Sequence, residues 1–143
     1  MKATRCSSIA GAALAGFVSC VAAQPAAHPP PTGSPTICNS GICKIDITVN
    51  DCGAIGGIKV NPDHLGMAGT SGPAVIHWKI ATPGFVFSLD GIRFDPPSPN
   101  FQRLPGGPAN EVKMRNHKKS TGNFYYFVDV QNCIPVDPFI QNF

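Results

Sequence analysis

Two-residue alternation of apolar and polar side chains dominates this chain after position 40 and leaves little room for helices. In Lys44-Ile45-Asp46-Ile47-Thr48-Val49, the residues Ile45, Ile47 and Val49 fall on one face of an extended strand, and Lys44, Asp46 and Thr48 on the other. The same pattern recurs over 74–80, where Ile76, Trp78 and Ile80 oppose Val75, His77 and Lys79. A weaker strand over 55–60 is broken by Gly56-Gly57.

Turn chemistry sets the expected connections. Over 85–94, Asp90-Gly91 lies between two apolar runs and predicts a two-residue hairpin, with Leu89 facing Ile92 and Phe87 facing Phe94. The segment 95–108 holds five prolines and Gly106-Gly107, so it reads as a long loop anchored by Phe101 and Leu104. Strands over 111–116 and 124–130 predict a second hairpin through the polar connection 117–123. A short extended piece over 138–143 closes the chain. Six or seven such strands predict an all-β domain, a small antiparallel β-sandwich of immunoglobulin-like or cupredoxin-like topology, with a small barrel as the alternative. The order Cys52, Trp78, Cys133 resembles that of an immunoglobulin domain. With spacings of 26 and 55 residues, the resemblance extends to architecture alone.

The first residues point to an export signal. Lys2 and Arg5 precede an apolar run over 9–18, too short to span a bilayer, and Val21-Ala22-Ala23 supplies small residues ahead of Gln24. The expected organisation is a secretory signal peptide over 1–23, a Pro-rich disordered tether over 24–35 and one domain over 36–143. That makes the protein exported, periplasmic or extracellular, with no transmembrane segment in the mature chain. Phe17-Val18-Ser19-Cys20 loosely resembles a lipobox, which would instead place a lipid anchor at Cys20 and tether the domain to a membrane.

Charge narrows the partners. The formal net charge is +3, but Lys2 and Arg5 belong to the signal, so nine basic residues face eight acidic ones afterwards. A nearly neutral domain lacks the electrostatic footprint of a general nucleic-acid binder.

Four cysteines follow the signal: Cys38, Cys43, Cys52 and Cys133. Cys43 and Cys52 flank one strand, roughly 30 Å apart when extended, whereas a disulfide holds its Cα atoms within about 7 Å. That removes Cys43–Cys52 with its complement. The favoured pairing is Cys38–Cys43 with Cys52–Cys133, which brings the ends of the first and last strands together; Cys38–Cys52 with Cys43–Cys133 stays open.

Few residues form a chemical constellation. His64-Leu65-Gly66-Met67, read as a Gly-rich loop, puts His64 and Met67 at a spacing that could hold copper, with His77 or His117 as further ligands. Cys133 is followed by neither His nor Met, unlike a blue-copper electron carrier. No GxSxG elbow is present, and Glu111 is the only glutamate, so neither a hydrolase triad nor a glycosidase pair finds residue-level support. The most suggestive surface is the outer face of the second predicted hairpin, where Lys113, Arg115, Tyr125 and Phe127 would interleave cations and aromatics beside His117, Lys118 and Lys119. The expectation is a non-enzymatic interaction or structural module without a cofactor, its partner an envelope protein or an anionic or sugar-like ligand. A copper-handling protein is the alternative.

Overall fold

The computed structural model describes residues 33–68 and 72–143. The expected signal peptide, Cys20 and the tether up to position 32 lie outside the described residues, as does 69–71. The described residues form ten strands and no helix: β1 (Thr36–Cys38), β2 (Ile42–Val49), β3 (Ile58–Asn61), β4 (His64–Met67), β5 (Ala74–Ile80), β6 (Phe87–Phe94), β7 (Phe101–Arg103), β8 (Glu111–Asn116), β9 (Gly122–Val130) and β10 (Phe139–Asn142). They build two five-stranded sheets, ordered β1-β4-β10-β9-β6 and β3-β2-β5-β8-β7. The alternating strands turn their apolar faces inward, so Ile45, Ile47, Ile76, Trp78 and Ile80 of one sheet meet Tyr126, Val128, Val130 and Ile140 of the other in a single core. The described residues form an all-β sandwich with two disulfides.

The sheets are mixed rather than purely antiparallel. β1 with β4, β4 with β10, and β2 with β5 pair in parallel. The strands beyond the expected six or seven are short ones that alternation does not mark. β4 is buried on both faces, so His64, Leu65, Gly66 and Met67 show no polar-apolar rhythm. Gly66 lets other chain segments close over it: a Cβ there would lie 2.7 Å from Ile37 Cδ1 and 2.9 Å from both Pro35 Cβ and Phe143 Cε2. β7 lies within the Pro-rich segment read as loop, where Phe101 stacks on Phe94 with ring centroids 3.7 Å apart.

Neither expected hairpin forms. β6 is one strand running through Asp90-Gly91 and pairing with β9 on both sides of them; Phe87 opposes Val130 and Ile92 opposes Val128. Four residues on β6 therefore answer Asp129 alone, and the excess bulges outward, leaving Leu89 94% exposed. Gly91 makes the excursion tight, with φ of 37° and a notional Cβ only 2.9 Å from Phe87 Cβ. The turn-forming dipeptide serves a bulge because nine-residue β9 is long enough to bind both halves of β6.

β8 and β9 also do not pair. β8 lies between β5 and β7, and β9 between β10 and β6, so residues 117–121 cross from sheet to sheet. Buried amides fix this crossing. Asn116 Nδ2 donates to Asn142 Oδ1 at 2.8 Å, and Asn142 Nδ2 donates to the Ser120 carbonyl at 3.2 Å. Asn100 Nδ2 donates to Ser120 Oγ at 2.8 Å. Asn116→Ala is expected to lower stability by about 2–3 kcal/mol, because it strips a partner from the buried Asn142 carbonyl. Urea unfolding reads this directly, and a loss under about 0.5 kcal/mol, smaller than a typical net hydrogen bond, would show that these amides do not hold the crossing.

The favoured cysteine pairing is the one formed: Cys38–Cys43 and Cys52–Cys133. Cys38 belongs to β1 and Cys43 to β2, while Cys52 follows β2 and Cys133 follows β9. Each bridge therefore joins one sheet to the other, at opposite ends of β2. The strands tied by Cys52–Cys133 lie in different layers.

Candidate functional site

Alternation along β4 decides what His64 and Met67 can do. Three positions apart on one strand, they point to opposite faces. Met67 is fully buried in the core, with its Sδ 3.5 Å from Cys43 Sγ. His64 faces outward against Phe139, with ring centroids 4.0 Å apart and Nε2 at 3.1 Å from Gln141 Oε1. The structure does not bring this pair together as a metal site. His77 and His117 are also apart from it, on β5 and after β8, where His77 Nε2 meets Glu111 Oε2 at 3.0 Å and His117 Nε2 meets Gln102 Oε1 at 3.2 Å. Among the described residues, no group of three or more His, Cys, Asp or Glu side chains could hold a metal ion.

The expected mixed patch is divided between two surfaces. Lys113 and Arg115 lie on β8, and Tyr125 and Phe127 on β9. With the core between the sheets, these outward residues occupy opposite outer faces of the sandwich. The aromatic pair joins a row of rings: Tyr125 lies 5.8 Å from Phe139, which continues to His64, and the Arg93 guanidinium sits 4.6 Å above the Phe127 ring.

The cationic pair joins a larger set. Outward positions of the β3-β2-β5-β8-β7 sheet carry Lys44, Lys59, Lys79, Lys113 and Arg115. Strand register aligns them: Lys44 pairs with His77, and His77 with Lys113, giving a row across three hydrogen-bonded strands. The neighbouring row is Asn61, Asp46, Lys79 and Glu111. Five cations thus face two carboxylates on this surface, out of nine basic residues after position 23. The register sets no two of these cations directly opposite one another: Lys44 and Lys113 flank His77, and Lys79 lies between Asp46 and Glu111.

Glu111 is the buffer within this field. His77 hydrogen-bonds it, and Lys79 Nζ lies 3.7 Å from its Oε1. Burial pushes its carboxyl up, but the His77 hydrogen bond and the charges of His77, Lys79 and Lys113 outweigh that and hold it below the usual carboxylate range. Among the described residues, no carboxylate lies within ion-pairing distance of Lys44, Lys59, Lys113 or Arg115.

The Lys44–His77–Lys113 row ends at a cleft of about 480 Å³, whose lining includes Arg103, Leu104, Glu111 and Lys113. The Leu104 amide donates to the Lys113 carbonyl at 2.9 Å, and the Phe87 amide to the Ala109 carbonyl at 3.0 Å, so the 104–109 loop is stitched to both sheets. Alternation marked Lys44, Lys79, Lys113 and Arg115 as outward; Lys59, in the weaker Gly-broken strand, carried no such mark. What it lacked was strand order, which alone shows that distant Lys44 and Lys113 share a row. No protein-family model matches the chain, and a search of curated proteins found none similar to it.

Proposed function

We propose that this protein is exported and acts as a non-enzymatic interaction module of the periplasm or cell envelope, binding an anionic partner on the cationic outer face of the β3-β2-β5-β8-β7 sheet. The observation that carries this reading is the gathering of five cations on one face of a domain that is nearly neutral in total. Selection for solubility alone would scatter mixed charges over both faces. The basic, apolar and small-residue order of 1–23 supports export. Two disulfides fit an oxidising extracellular environment, and no helix of the described residues is long and apolar enough to cross a membrane. Residues 24–35 then serve as a spacer, beginning after cleavage at Ala23 or after a lipid anchor at Cys20.

The two outer faces allow a direct contest. In pull-downs from envelope extract, Lys113→Glu with Arg115→Glu is expected to reduce retained partners at least tenfold, and Tyr125→Ala with Phe127→Ala to leave them. The reverse pattern would move the binding surface to the aromatic face and end this reading.

A further inference from the structure

The cationic face carries more information than its sign. Five hydrogen-bonded strands present it, and among their outward positions Ile42, at the rim, is the one exposed large hydrophobic side chain. No Phe, Tyr or Trp projects from it. An acidic protein partner calls for aromatic or aliphatic anchors at the centre of its footprint, and a bilayer surface calls for apolar side chains that insert. What lies between the cations is a set of hydrogen-bonding groups: Thr48, Asn61, Asp46, Glu111, His77 and Gln102.

Cations alternating with carboxylates, amides and a hydroxyl suit a ligand that is both charged and rich in hydroxyls. The carboxylates would be repelled by a bare polyanion but accept hydrogen bonds from hydroxyls. Four of the five cations are lysines, compact charges on flexible stems that meet anionic groups without demanding the fixed fork geometry of arginine. The row Lys44–His77–Lys113 runs across the strands and opens at its end onto the cleft where Arg103 supplies another cation.

Resting on the proposed binding role of this face, we infer that its ligand is a linear acidic polysaccharide, laid across β2, β5 and β8 with its end seated beside Arg103. Its anionic groups meet Lys44, Lys113 and Arg115, and its hydroxyls donate to Glu111 and Asp46.

The test uses the purified protein with both disulfides formed and titrates it calorimetrically with polygalacturonate, neutral dextran and poly-L-glutamate. Polygalacturonate is expected to bind, dextran not to bind, and poly-L-glutamate to bind at least tenfold more weakly. Lys44→Glu with Lys113→Glu is expected to weaken polygalacturonate at least tenfold, while Arg93→Glu with Lys119→Glu, the same change in net charge off this face, shifts it less than threefold. Equal loss in both double variants would mean attraction to net charge alone and overturn the inference. If poly-L-glutamate binds better, and only through Lys44 and Lys113, the polysaccharide is wrong while the face remains the binding surface. If neither polymer binds, both the inference and the reading beneath it fall.

Discussion

Replacing Cys52 and Cys133 together by serine is expected to lower stability by roughly 4–5 kcal/mol in the chain-entropy account of disulfides. The two residues are 81 positions apart, so the bridge removes a large share of the unfolded chain's freedom. It also joins the strand end after β2 to the one after β9, across the two layers of the sandwich. Without it, the amide of Ile134 donating to the Cys52 carbonyl at 3.0 Å remains as a backbone link there. A domain of this size has about 5–15 kcal/mol in total, so the variant should sit near the edge of folding. The matching change at Cys38 and Cys43, only five positions apart, should cost roughly half as much. Trp78 is the single tryptophan and fully buried, so its fluorescence reports urea unfolding of both variants against the parent. Equal losses for the two pairs would show that loop length does not govern the stabilisation.

Trp78→Ala is expected to cost about 3–5 kcal/mol, the range for truncating a large buried aromatic. Trp78 sits on β5, the central strand of its sheet, and meets Tyr126 of the facing sheet edge-on with centroids 5.6 Å apart. That contact is where the two layers interdigitate. The polar atoms of the pair contribute little. Trp78 Nε1 and Tyr126 Oη are buried without a hydrogen-bond partner among the described residues. Burial pushes the Tyr126 phenol far above its ordinary pKa, and the nearby Trp78 N–H offsets only part of that without reaching hydrogen-bonding geometry. Tyr126→Phe should therefore stay within about 1 kcal/mol of the parent, since it removes an unpaired hydroxyl and keeps the ring. Far-UV circular dichroism during urea unfolding measures both variants. A Tyr126→Phe loss as large as that of Trp78→Ala would mean that the hydroxyl, not ring packing, holds the layers together.

The sequence spoke clearly wherever one face of a strand is wet. β2, β5, β8 and β9 were legible because Ile45, Ile76, Val112 and Tyr126 alternate with polar neighbours. β4 was not, because covering groups from Pro35, Ile37 and Phe143 make its outer face as buried as its inner one. Local turn chemistry misled twice for the same reason. Asp90-Gly91 and the 117–123 connection are both good turns, but a turn fixes only the path of a few residues. Which strand lies alongside which is decided by the whole core and by amides such as Asn100, Asn116 and Asn142, whose partners are far away in the chain. The cysteines were partly legible: strand length excludes Cys43–Cys52, but the choice between the two remaining pairings depends on which strand ends meet across the layers. The candidate site was half legible: Lys113 and Arg115 do share a surface, but Tyr125 and Phe127 belong to the opposite one, and Lys44 enters only through parallel pairing of β2 with β5.

The sandwich has two chemically different outer faces, and binding is proposed for the cationic one. Backbone amide chemical shifts, recorded while polygalacturonate is added to the isotopically labelled protein, test that most directly. Perturbations are expected to concentrate at Lys44, His77, Lys79, Lys113 and Arg115 and to fade with added salt. Perturbations concentrated at Tyr125, Phe127 and Phe139, or spread evenly over both faces, would contradict that proposal.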